Sequence, residues 1–198
     1  MRFHLFDIQI RFSLWFFAVA ACAALLQKGP LLYYFVLPIA THELGHLLVM
    51  AVLGVQIEEI AFTPVSLAIR RKQGRMLSYG GEVAVSLGGV AANLLMAFFL
   101  YRFAFQSMRT TLLLACNVAV AVFNLLPVGS LDGGQVLRHV SSRFFSLRVA
   151  DILSRVISFV VLTPMTAVAV LVLLRQKGNF TLLLVCVYLT VTLVLRAE

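Results

Sequence analysis

Two stretches of the 198-residue chain carry side chains whose types and spacing can do chemistry. The first is His42-Glu43-Leu44-Gly45-His46. Histidines four apart share one face of an α-helix, so both imidazoles can reach one Zn²⁺. Glu43 stands beside them, placed to take a proton from water at that metal. The pattern has few fixed positions, and a chance match is the alternative. The neighbours weigh against chance. Residues 31–40 and 47–53 are almost wholly apolar, and an ionisable group inside such a helix is costly and marks function. The second stretch runs from Asn124-Leu125-Leu126-Pro127 to Leu131-Asp132-Gly133-Gly134. Catalytic zinc usually has three protein ligands and an open fourth position. Two histidines leave one ligand missing, and Asp132 is the candidate. The other reading of Asp132 is a cap on a helix that begins near Gly133.

The elements that must position these residues read as membrane helices. The chain is 62% hydrophobic and 12% charged, with a mean hydropathy of +1.00. A soluble core of this length could not hide so much apolar surface, whereas lipid can. The expectation is an all-α polytopic membrane protein with six transmembrane helices, at about 13–26, 31–53, 82–105, 110–123, 150–174 and 180–195. The first is short for a bilayer core of about 30 Å. Pro127, Gly129, Gly133 and Gly134 break the chain after the fourth helix, and irregular backbone at membrane depth is tolerated only where protein buries it or a wet cavity adjoins it.

Between the second and third helices, at 55–79, the pattern alternates: Val55, Ile57 and Ile60, then Val65, Leu67 and Ile69, followed by the basic run Arg70-Arg71-Lys72-Gln73-Gly74-Arg75. That predicts a small β-hairpin or three-stranded ribbon, with an irregular basic loop as the alternative. A strand edge there could bind an unfolded substrate segment by β-augmentation. Residues 3–12 read as a short strand or interfacial segment, and 136–148 as a basic amphipathic connection with His139 at headgroup level.

Asn93 lies in the third helix, after the small-residue run Ser86-Leu87-Gly88-Gly89-Val90-Ala91-Ala92. It reads either as a hydrogen bond between helices or as lining of the active site; for Asn117 the interhelical bond is preferred. Cys22, Cys116 and Cys186 each sit in an apolar run and imply no disulfide framework. The net charge of +8 falls mainly at the ends of apolar segments, as anchoring at headgroups requires, and no nucleic-acid partner is inferred. Gln27-Lys28-Gly29-Pro30 lacks a small-residue cleavage pattern, so no cleavable signal peptide is expected. In the six-helix layout ten Lys and Arg fall on the side of the termini and the hairpin and five on the other. The positive-inside rule then places both termini, the hairpin and the active site toward the cytoplasm.

Taken as a pair in this order, the two stretches resemble the site-2 protease family, the intramembrane zinc metalloproteases of peptidase family M50, over about residues 31–135. The compact layout, read as a single domain over 1–198 without a PDZ or CBS domain, is most similar to the subgroup of the stage IV sporulation protease, which processes a sigma factor. The resemblance implies that His42, His46 and Asp132 bind Zn²⁺, that Glu43 is general base and acid, and that Asn124 helps position substrate or the oxyanion. Pro127 and Asn93 are expected with Asn124 on the substrate side. The implied partners are a membrane-associated protein substrate, the bilayer, and a regulatory membrane partner or second copy. The implied location is a bacterial inner membrane or the membrane surrounding a forespore.

The chain departs from the family in two respects. Gly88-Gly89 stands where the family often has Gly-Pro, and no nucleotide-sensing CBS domain is expected. A pro-sigma factor, an anti-sigma factor and a remnant signal peptide remain alternative substrates. A prenyl-protein peptidase would need a later glutamate as ligand, and Glu58, Glu59 and Glu82 border the surface loop. A metal or solute transporter would use the broken helix as a binding site, but it has no need of Glu43 and no internal repeat is evident.

Overall fold

The computed structural model describes residues 2–5, 8–12, 31–62, 67–72, 77–104, 107–175 and 180–195. Their elements are β1 (Arg2–Leu5), β2 (Ile8–Phe12), α1 (Leu31–Val52), β3 (Ile57–Phe62), β4 (Leu67–Arg71), α2 (Tyr79–Phe103), α3 (Met108–Asn124), α4 (Asp132–Phe144), α5 (Leu147–Arg175) and α6 (Thr181–Leu195). The chain divides into two compact units. One comprises residues 1–77 and 88–121, the other 78–87 and 122–198.

In the first unit the four strands form one sheet in the order β1-β2-β3-β4. The hairpin expected between the second and third helices is the antiparallel pair β3–β4. The expected N-terminal strand is two strands, antiparallel to each other, and β2 runs parallel to β3 with Gln9 opposite Glu59 and Phe12 opposite Phe62. Glu59 ties three strands together, forming ion pairs with Arg11 of β2 at 3.2 Å and with Arg70 of β4 at 3.7 Å. Opposite charges on neighbouring strands hold register in this way.

Helix α1 is built inside-out, as lipid demands. Tyr34, Pro38, His42, His46 and Met50 recur every fourth residue along a buried stripe, while Phe35, Ile39, Leu44, Leu48 and Val52 are exposed. The apolar side chains thus face where acyl chains would lie, and the polar ones face protein. Its end is a Schellman turn: Val55 N–H donates to Met50 O and Gly54 N–H to Ala51 O. Gly54 supplies the left-handed residue that this turn needs, at φ +67°. On α2, Ser86, Gly89, Asn93 and Ala97 are buried while Leu94, Leu95, Phe98 and Phe99 are exposed. Gly45 of α1 and Gly88 of α2 meet backbone to backbone: a Cβ on Gly45 would overlap the carbonyl of Gly88, and one on Gly88 would lie 2.9 Å from Gly45 O. Small residues permit that approach.

In the second unit Val128, Leu162, Leu189 and Leu193 form a buried cluster, with Phe123, Leu126, Leu131, Val161 and Val185 packed against it. The residues that break the helix between α3 and α4 are therefore seated on α5 and α6 through Val128.

Among the described residues three helices are long and apolar enough to cross a membrane, at Tyr33–Val52, Tyr79–Phe103 and Leu147–Arg175; Met108–Asn124 and Thr181–Leu195 are shorter apolar helices. The helix expected at 13–26 lies outside the described residues. The basic amphipathic connection expected at 136–148 lies largely within a regular 13-residue helix that begins at Asp132, where the two glycines fit against the carbonyls of the preceding loop. Arg138 on α4 donates to Asp151 on α5 at 2.6 Å.

Candidate metal centre

The i, i+4 spacing does in α1 what helix geometry requires of it. The His42 and His46 rings stand at 86° with centroids 4.7 Å apart, and their Nε2 atoms converge to 3.2 Å. Both residues are buried, His42 at 6% exposure and His46 at 9%. Two Zn–N bonds of about 2.0–2.1 Å at a tetrahedral angle hold their nitrogens roughly 3.3–3.4 Å apart. The pair therefore fits one zinc ion with almost no rearrangement.

Two residues of α2, four apart, shape this pair. A Cβ on Gly89 would lie 2.5 Å from His46 Nε2 and 2.8 Å from His42 Nε2, so only glycine leaves the imidazoles room. On the other side of His42, Asn93 Oδ1 lies 2.8 Å from His42 Nδ1. Asn93 is fully buried; its amide donates to Pro38 O at 2.9 Å and to Asn117 Oδ1 at 3.0 Å. Asn117, also fully buried, donates in turn to Leu113 O at 2.9 Å. Sequence reasoning left Asn93 between an interhelical bond and a site-lining role; it makes an interhelical bond to Pro38 and also contacts a ring of the histidine pair. Gly89 is named in the sequence only within the small-residue run and the Gly88-Gly89 pair, not as a neighbour of the histidines. Its position one turn before Asn93, on the same helical face, was the signal that could have revealed it.

Glu43 follows His42 on α1 and is partly buried, within the run of the helix that carries both histidines.

Asn124, Pro127 and Asp132 belong to the second unit. Asn124 is the last residue of α3 and Asp132 the first of α4. Asp132 is not the helix cap. That position is Leu131, which makes no side-chain capping bond. The loop between the helices is tightly determined. Val128 N–H donates to Leu126 O at 2.7 Å and Leu131 N–H to Val128 O at 2.8 Å. Gly129 N–H donates to the hydroxyl of Ser158 on α5 at 2.9 Å, and that hydroxyl donates to Ser154 O at 2.6 Å. A Cβ on Gly133 would collide with the Leu125 carbonyl, and one on Gly134 with that of Val128. The Asp-Gly-Gly sequence thus starts a helix directly against loop carbonyls, which fixes the backbone on which Asp132 stands.

Residues 107–164 match peptidase family M50. That segment spans α3, the loop, α4 and α5 as far as Pro164, and it includes Asn124, Pro127 and Asp132. Among solved structures the chain is similar to the site-2 protease from Methanocaldococcus jannaschii, at 20% identity and a TM-score of 0.65, over 100% of this chain and 95% of that one. No curated protein matches the sequence. The family match and the shared fold together support a metalloprotease.

Proposed function

We propose that the chain is an intramembrane zinc metalloprotease in which His42, His46 and Asp132 hold the metal and Glu43 is the general base and acid. The observation that carries this reading is the convergence of His42 Nε2 and His46 Nε2 to 3.2 Å on an apolar helix that also bears Glu43. The three side chains offer two imidazole nitrogens and one carboxylate oxygen, a donor set that suits Zn²⁺. When bound, the ion polarises the scissile carbonyl and makes water acidic enough to attack near neutral pH.

The chain's own groups do the rest. Glu43 takes the proton as the water oxygen bonds to the carbonyl carbon, then delivers it to the amide nitrogen as the C–N bond breaks. Asn124, at the end of α3, is the proposed positioning group for substrate or oxyanion, with Pro127 beside it. A helical substrate must unwind before its amides are accessible. β4 stands at one end of the sheet order, so it can accept an extended segment as a further strand. The proposed substrate is a membrane-embedded or membrane-associated protein: a pro-sigma factor of sporulation, or alternatively an anti-sigma factor or a remnant signal peptide. The proposed setting is a bacterial membrane with both termini and the site on the cytoplasmic side, where the basic residues of the sequence concentrate.

Glu43→Gln removes the base while leaving both imidazoles. The variant should retain zinc in purified protein and lose cleavage of a membrane-tethered reporter peptide. Retained proteolysis would overturn the assignment.

A further inference from the structure

The hydrogen bonds behind His42 run in one direction. Backbone carbonyls accept and never donate, so the oxygen of Pro38 compels Asn93 to turn its NH₂ toward α1, and the oxygen of Leu113 compels Asn117 to do the same within α3. With both amides so oriented, Asn117 Oδ1 receives the second N–H of Asn93 at 3.0 Å. The remaining group of Asn93, its Oδ1, is left facing His42 Nδ1 at 2.8 Å. An oxygen acceptor at that distance requires Nδ1 to carry the proton. The lone pair of His42 is then on Nε2, the atom that points to His46.

We infer that Asn93 and Asn117 form an amide relay, anchored on the carbonyls of Pro38 and Leu113, that holds His42 in its Nδ1–H tautomer and so presents Nε2 as the metal-binding atom. In this relay both asparagines act through His42 and are positioning residues. The arrangement uses neutral amides where many metal sites use a carboxylate, and in a helix expected to lie in lipid an amide avoids the cost of a buried charge. Pro38 belongs to the device through its carbonyl. Asn93 cannot turn around in this frame, because a half-rotation of its amide would set its oxygen against both Pro38 O and Asn117 Oδ1.

The inference rests on the metal reading above, and the test separates the two. The protein is labelled with ¹⁵N-histidine in a variant carrying His4→Gln and His139→Gln, which leaves only His42 and His46, and its tautomers are read by NMR without metal. Zinc affinity is measured in detergent by competition with a chromogenic chelator. The expected result is a protonated Nδ1 on His42. Asn93→Leu, an apolar near-isostere, should lose that single tautomer and bind zinc about 10–100-fold more weakly. Asn93→Asp keeps an acceptor for the Nδ1 proton but sets a second oxygen against Pro38 O and Asn117 Oδ1; it should keep the Nδ1–H tautomer of His42 at a cost in stability. An Nε2-protonated His42 in the otherwise native protein overturns the relay, as does an Asn93→Leu variant with unchanged tautomer and affinity. If Asn93→Leu does not fold, the tautomer of the otherwise native protein and that of Asn93→Asp decide. A protein whose zinc affinity equals that of His46→Ala defeats the metal reading instead and leaves the tautomer result standing.

Discussion

The sharpest prediction concerns a residue with no functional group. Gly89→Ala adds one methyl group at a point 2.5 Å from His46 Nε2, 2.7 Å from His42 Cε1 and 2.8 Å from His42 Nε2. Non-bonded heavy atoms sit comfortably at about 3.5–4.0 Å, so the rings must withdraw by roughly 1 Å or α2 must retreat. Neither is easy. His42 is backed by Asn93, which is fully buried and hydrogen-bonded on both sides, and α2 is held against α1 by the Gly45–Gly88 contact. Overpacking of this kind costs about 1–3 kcal/mol. Metal sites tolerate ligand displacements of only about 0.2 Å. If the strain appears in the loaded state, zinc affinity falls by about 5–150-fold, at tenfold per roughly 1.4 kcal/mol. The assay is chelator competition on purified protein, with cleavage of a membrane-tethered peptide alongside. Two neighbouring variants act as controls. Gly80→Ala, with nothing within 4 Å of its added methyl, should be silent, whereas Gly88→Ala meets Val49 and Gly45 O and should lower stability without direct contact with the rings. Native zinc affinity in Gly89→Ala would refute the geometry on which the metal centre is argued.

The loop before α4 supports further expectations. Ser158→Ala leaves the N–H of Gly129 without its 2.9 Å acceptor, and stability should fall by about 1–3 kcal/mol, read as a lower midpoint of unfolding in denaturing detergent; an unchanged midpoint would show that the loop does not depend on α5. By contrast Asp151→Asn removes a pair whose side chains are 47% and 44% exposed, so the midpoint should hardly move, by less than about 1 kcal/mol. A large loss there would mean that the α4–α5 pair is shielded in the membrane protein. Chelation of zinc should abolish cleavage and added Zn²⁺ should restore it, while activity that persists under exhaustive chelation counts against a metal mechanism.

Legibility in the sequence tracked the range of the interaction that decides each feature. The apolar runs at 31–53, 82–105, 110–123, 150–174 and 180–195 appear as helices within a few residues of their expected bounds, because hydrophobic length is a local property. The β3–β4 pair was legible from alternation. The parallel pairing of β2 with β3 was not, since register between strands some fifty residues apart leaves no periodic trace. A helix beginning near Gly133 was legible only as the alternative reading of Asp132, and its extent as an amphipathic connection, because Gly133 and Gly134 carry little helix propensity of their own. In the fold they are what allows the helix to start against the carbonyls of Leu125 and Val128.

The candidate site divides in the same way. That His42 and His46 face one point, with Glu43 beside them, follows from covalent spacing on a helix, and the sequence alone determined it. The donor chemistry of Asp132 and the break at Pro127 were likewise written in residue types. Only tertiary structure decided which nitrogen His42 presents, because the answer lies in two carbonyls and two amides brought together from α1, α2 and α3 across separations of 24 to 55 residues. It alone also decided why residue 89 has no side chain. The physical reason is common to both: a helix dictates the direction of its own side chains, but the space and the hydrogen-bond partners those side chains meet belong to other helices.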